Sequence, residues 1–88
     1  MHEPYLPENC NAFYCNFDVR IQDDLLARLK EHDLEKYVVI DKAVAVDGSL
    51  VPHCFGIYFR ADMGISESTK VLIQLLAQSA QYAMRDRE

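Results

Sequence analysis

Tryptophan is absent from this chain of 88 residues, and glycine, proline and cysteine occur three times each. So few glycines exclude a phosphate-cradling loop. Gly48, Gly56 and Gly64 stand eight apart, and neither G-x-G-x-x-G nor a Walker pattern runs through them. The odd, sparse set of cysteines (Cys10, Cys15 and Cys54) excludes a self-contained disulfide scaffold and points to a reducing compartment. Long apolar runs are missing as well. No stretch nears the roughly 18 apolar residues of a membrane span. The opening MHEPYLPENC, with two prolines and two acids, has no apolar run of the signal-peptide kind. A cytoplasmic protein with no membrane partner is expected.

Positive charge is also short. Nine Lys and Arg face fourteen Asp and Glu, for a net charge of −5. Affinity for phosphate backbones needs basic residues gathered on one face. Here they are scattered among acids, so no nucleic-acid partner is expected. What is present is ordinary globular material, 50% hydrophobic and 26% charged. A chain this short buries only about 60% of its unfolded surface. Folds of that size gain from a staple or a partner subunit.

Residues 1–11 read as an N-terminal arm. Pro4 and Pro7 oppose helix, and Tyr5 and Leu6 supply an apolar anchor. Residues 12–88 form the single domain. Residues 12–20 alternate, with Phe13, Cys15, Phe17 and Val19 on the buried side and Tyr14, Asn16, Asp18 and Arg20 on the other. Leu25, Leu26 and Leu29 carry a helix over 22–34, with Asp23 and Asp24 in its first turn. Residues 36–46 are β-branched and run into Asp47-Gly48, a hairpin signal. Pro52 cannot donate to a ladder, so the third strand starts after it or the pairing there is at an edge, and residues 53–61 alternate again. Ser66 caps a last helix over about 67–85. Its core side is read as Leu72, Ile73, Leu76, Ala80, Ala83 and Met84, with Val71 and Leu75 widening the apolar arc. The order predicts an α+β fold: a β-α-β-β-α two-layer sandwich, a three-stranded ferredoxin-like sheet lacking a fourth strand, helices on one face. The edge of the first strand then needs cover from the arm or from a second copy.

The chemistry-bearing residues do not assemble into a motif. Cys10, Cys15, His53 and Cys54 comprise a metal-ligand set by type, but Cys-x₂-Cys spacing is missing. Cys54 and His53 are adjacent on a strand and so face apart, which denies the thiol a base. No catalytic residue, metal or cofactor is expected. The open face of the sheet is read as carrying Tyr14, Tyr58, Arg60 and Arg20, with Tyr37 alongside. Tyrosine and arginine are enriched at protein–protein hot spots.

The order of elements, with a helix running into ARLKEHDLEKYVVID, then a turn, a strand and a final helix, resembles the small trimeric PII-like signalling proteins. That resemblance implies a small-ligand sensor using the 47–54 loop. The chain departs from it in lacking a glycine-rich loop between Val46 and Phe55 and a last strand. The preferred expectation is a small acidic, non-enzymatic module for protein binding or regulation. It would act as a homo-oligomer, a homodimer first, or as an inhibitor or adaptor on a larger protein. A metal- or thiol-dependent site at Cys10, Cys15, His53 and Cys54 is the third reading.

Overall fold

The computed structural model describes residues 5–86, apart from the side chains of 12–16. The fold is α+β. Strand β1 (Cys10–Asp18) leads through a 3-10 turn (Val19–Ile21) into helix α1 (Gln22–Glu31). A second 3-10 turn (Glu35–Tyr37) precedes β2 (Val38–Val44), and a hairpin leads to β3 (Leu50–Arg60). A third turn (Ala61–Met63) opens helix α2 (Glu67–Arg85). Among the described residues the sheet has the order β1-β3-β2, with both pairings antiparallel.

Local chemistry places the element ends. Helix α1 stops because Asp33 adopts a left-handed φ of 56°. Leu34 then donates to the Leu29 carbonyl at 2.8 Å and Asp33 to that of Lys30 at 3.1 Å, the paired bonds of a Schellman end. Ser66 caps α2 by accepting from the Thr69 amide at 3.2 Å. At the hairpin, Gly48 (φ 88°) follows a turn in which its amide donates to the Ala45 carbonyl at 2.9 Å. The Asp47 carboxylate accepts from the Ser49 amide at 2.9 Å and pins that turn.

The core lies between the sheet and both helices. It gathers Phe17, Ile21, Leu25, Leu29, Val38, Phe55, Ile57, Phe59, Ile73, Ala77 and Ala80, all buried. The expected burial of Phe17, Ile57 and Phe59 is seen, whereas Leu76 is only partly buried against the cluster. On α2 the inward arc centres on Ile73, Ala77 and Ala80, and Leu72 is 41% exposed. Leu72 does not face the core as expected. The small side chains of Ala77 and Ala80 bring the helix in close and turn the larger leucine outward.

Three strand readings are corrected. The third strand begins before Pro52, not after it. The ladder to β2 breaks between Lys42–Phe55 and Val44–Leu50, so Pro52 sits where no donor is required. The expected 47–54 loop is therefore mostly strand. Along β1 the register opposes Phe13 to Tyr58 and Tyr14 to Ile57, but Phe17 to Phe55. Three steps on β1 match two on β3, so a bulge between Tyr14 and Phe17 breaks the strict alternation. The expected exposure of Tyr14 and burial of Cys15 concern side chains outside the described residues. The arm reading also shortens, since β1 already starts at Cys10.

The two exposures on α2 separate the helix faces in energy. Ile73→Ala should lower stability by about 2–5 kcal/mol, the usual penalty of a buried truncation. Leu72→Ala should stay within about 0.5 kcal/mol. Urea denaturation of both variants checks this, and the reverse ranking would mean that α2 is turned the other way.

Candidate functional site: two faces of the domain

Five consecutive residues of β3, Phe55 to Phe59, are buried. Side chains alternate across a strand, so a run of this kind needs cover on both faces of the sheet. The helices cover the face of Phe55, Ile57 and Phe59. On the other face the Tyr58 ring lies over Gly56, where an added Cβ would meet the ring at 3.0 Å. Its hydroxyl donates to the Lys42 carbonyl on the neighbouring strand at 2.7 Å. Only a residue without a side chain leaves room for that pose.

Tyr5 of the arm then closes this face. Its ring meets Tyr58 edge-on, with centroids 5.9 Å apart, and its hydroxyl donates to Asp41 at 2.8 Å. The Lys42 ammonium sits 4.8 Å from the centre of the Tyr5 ring. The anchoring role read for Tyr5 is thus realised, on the sheet face and not along the β1 edge. The Lys42 amide and the Tyr5 hydroxyl together hold the Asp41 carboxyl below its ordinary value. In return the Asp41 bond raises the Tyr5 phenol.

This changes the reading of the tyrosine face. Tyr58 is 1% exposed, so it does not face solvent as expected. Arg20 and Tyr37 stand apart from it, and the side chain of Tyr14 lies outside the described residues. Arg20 follows β1 and forms a bidentate pair with Asp18, the closest contact being 2.8 Å. That pairing holds the Asp18 carboxyl down at about 2. Arg60 lies at the other end of the β1–β3 ladder, opposite Cys10. Tyr37 packs partly buried against the core beside Lys36. Sequence parity alone could not show that the arm folds back. The pairing of Gly56 with Tyr58 two residues on was the available signal, since glycine in a strand marks close approach.

The cysteines are spread along the sheet. Cys10 pairs opposite Arg60 and Cys54 opposite Asp18, and the six residue steps of β3 from Cys54 to Arg60 span about 20 Å. Both thiols are free, and among the described residues no group of three His, Cys, Asp or Glu is placed to hold a metal ion. Burial pushes the Cys10 thiol up, although Arg60 opposes it, which is the wrong direction for a nucleophile. A cleft of about 400 Å³ lies beside Tyr5, lined by Lys42, Val44, Ala45, Val46, Gly48 and Leu50. It presents one ammonium and otherwise backbone and apolar side chains.

The larger unpartnered feature is on the outside of α2. Val71, Leu72, Leu75 and Tyr82 are 51%, 41%, 54% and 66% exposed. Positions 71–84 contain no Asp, Glu, Lys or Arg. At 100° per residue, Val71, Leu75, Gln78 and Tyr82 all fall within about 40° of the direction opposite Ile73. They form a strip spaced by four, three and four residues, the spacing of a helix-pairing seam. A cleft of about 220 Å³ lined by Phe17, Gln78, Gln81, Tyr82 and Arg85 borders its C-terminal half. The sequence pattern marks Val71 and Leu75 as widening the apolar arc but places Leu72 inward and does not single out Tyr82.

Two outcomes follow from the tyrosine face. Tyr58→Phe removes one hydroxyl bond and should cost about 1 kcal/mol, while Gly56→Ala displaces the ring and should cost about 1–3 kcal/mol in urea melts. An unaffected Gly56→Ala variant would mean that the ring does not lie there. The latch should also respond to pH. Because the folded Asp41 carboxyl lies below its ordinary 3.8, its contribution is present above that pH and lost as pH falls through the folded value. Tyr5 lies above 10.0, so its contribution is present below pH 10.0 and lost as pH rises through the folded value. Thermal melts across both limbs should be flatter for Tyr5→Phe than for the parent chain.

No helix among the described residues is long and apolar enough to cross a membrane. No protein-family model, no curated protein and no solved structure matches this chain.

Proposed function

We propose that this chain is a non-catalytic protein-interaction module of the cytoplasm. It works by self-association or by binding a larger protein as an adaptor or inhibitor. The observation that carries this reading is the strip on α2. A helix whose far side faces water ordinarily bears charge there, yet this one runs for fourteen residues without any. Val71, Leu72 and Leu75 lie within about one turn of each other and are exposed together, not scattered singly, which is the pattern of an interaction surface. The tyrosine face has a different part in this reading. Its aromatic area is engaged within the chain by Tyr5, so the binding surface moves to the opposite layer.

The sheet edges support the same choice. Edge β1 carries irregularities between Cys10 and Ala12 and between Tyr14 and Phe17, and edge β2 carries one between Lys42 and Val44. Bulges of this kind hinder strand-to-strand association, leaving the helix as the better docking element. We also take the sheet as ferredoxin-like without its fourth strand. The order β1-β3-β2 with antiparallel pairing supports that arrangement.

A photoactivatable amino acid in place of Gln78, at the middle of the strip, tests the reading in the native cell. Illumination should give discrete protein adducts that disappear when Leu75→Asp is added. Absence of any adduct, or adducts indifferent to Leu75→Asp, would overturn the interaction-module reading.

A further inference from the structure

We infer that the occupant of the α2 strip is a second copy of this chain, laid antiparallel across a two-fold axis between Leu76 and Ala77. The inference rests on the interaction-module reading and names its partner. The strip is its own complement in that orientation. An axis at this point sets Val71 level with the partner's Tyr82 and Leu75 level with the partner's Gln78. Leu72, on the strip's border, comes beside the partner's Ser79 and the partner's Ala83, so a large side chain meets small ones.

Charge selects the direction. The strip is uncharged through its length, and charges stand at its two ends. Glu67 and Arg85 are eighteen residues apart, which is five whole turns of about 3.6 residues, so both lie on one flank of the helix. A two-fold axis keeps like flanks together and brings Glu67 within about one residue rise (~1.5 Å along the axis) of the partner's Arg85. This occurs at both ends. In a parallel pair the axis runs along the helices, so the two Glu67 stand level at one end and the two Arg85 at the other, on opposite flanks, and no Glu67–Arg85 pair forms. The Glu67 side chain is 89% exposed, and its ion pair to Lys70 is a loose 3.5 Å, so it is available to a partner. Antiparallel helices also oppose their dipoles favourably. A foreign partner would be read by charge at these ends, whereas this chain already supplies both signs in matching positions.

Sedimentation equilibrium tests the proposal. The intact chain should show twice its 10.1 kDa mass. Leu75→Asp should weaken the dimer by about 100-fold or more, because it buries a carboxylate in the seam. The Glu67→Arg chain carries two bases at its strip ends, and the Arg85→Glu chain carries two acids. Each alone should dimerise about 5- to 10-fold more weakly at low salt, as expected of rim charges. An equimolar mixture of the two should regain parental affinity, since both ends then pair base with acid. That recovery cannot arise from a variant that merely fails to fold.

A monomer up to about 1 mM, where specific association would be evident, sinks the second-copy proposal. So does a dimer unchanged by Leu75→Asp, or a mixture that does not recover. In the first case, crosslinks from position 78 to some other protein would leave the interaction-module reading standing. Loss of those crosslinks as well would sink both.

Discussion

The Tyr58 ring lies over Gly56 with its hydroxyl on the Lys42 carbonyl, and this contact makes the central strand dry on its second face. Strand β3 sits between β1 and β2 and supplies Phe55, Ile57 and Phe59 to the helix side. Among the described residues both α-helices pack on that side. The ring, the glycine that makes space for it and the Tyr5 ring from the arm stand in for a third layer. A small core is thereby enlarged by side chains that would otherwise be solvated.

That arrangement leaves the two layers with different surfaces. On the open face Tyr5 of the arm lies against Tyr58, with its hydroxyl on Asp41 and the Lys42 ammonium against its ring. The helical layer is the reverse. Ile73, Ala77 and Ala80 satisfy the core from one side of α2, and the apolar residues left over point away from it. The outward strip of Val71, Leu75 and Tyr82 is exposed to more than half. Its cost to solubility makes sense where something covers it.

Helix, strand and turn were legible because their signals are local. Alternation marked β1 and β3, Asp47-Gly48 marked the hairpin, and Ser66 marked the start of α2, each through bonds made within a few residues. The ends of the strands were less so. Val19 to Ile21 continues the alternation of β1 in sequence but winds into a 3-10 turn, where Asp18 accepts from the Arg20 amide. Pro52 is admitted to β3 by a break in the ladder that depends on β2.

The sequence by itself determined the α+β composition, the order of elements and the acidic, sparsely basic surface, since these follow from periodicity, caps and charge. It could not decide which tyrosines face water. Period-two alternation says that Tyr58 is opposite to Ile57 and Phe59, but whether that side is wet depends on an arm fifty residues away. The bulge after Tyr14 is likewise a matter of pairing between strands. Nor could it orient α2, where Leu72 and Ile73 are adjacent and equally apolar. The alanines at 77 and 80 choose between them by how closely the helix can approach the sheet, and that choice is made only when the layers pack.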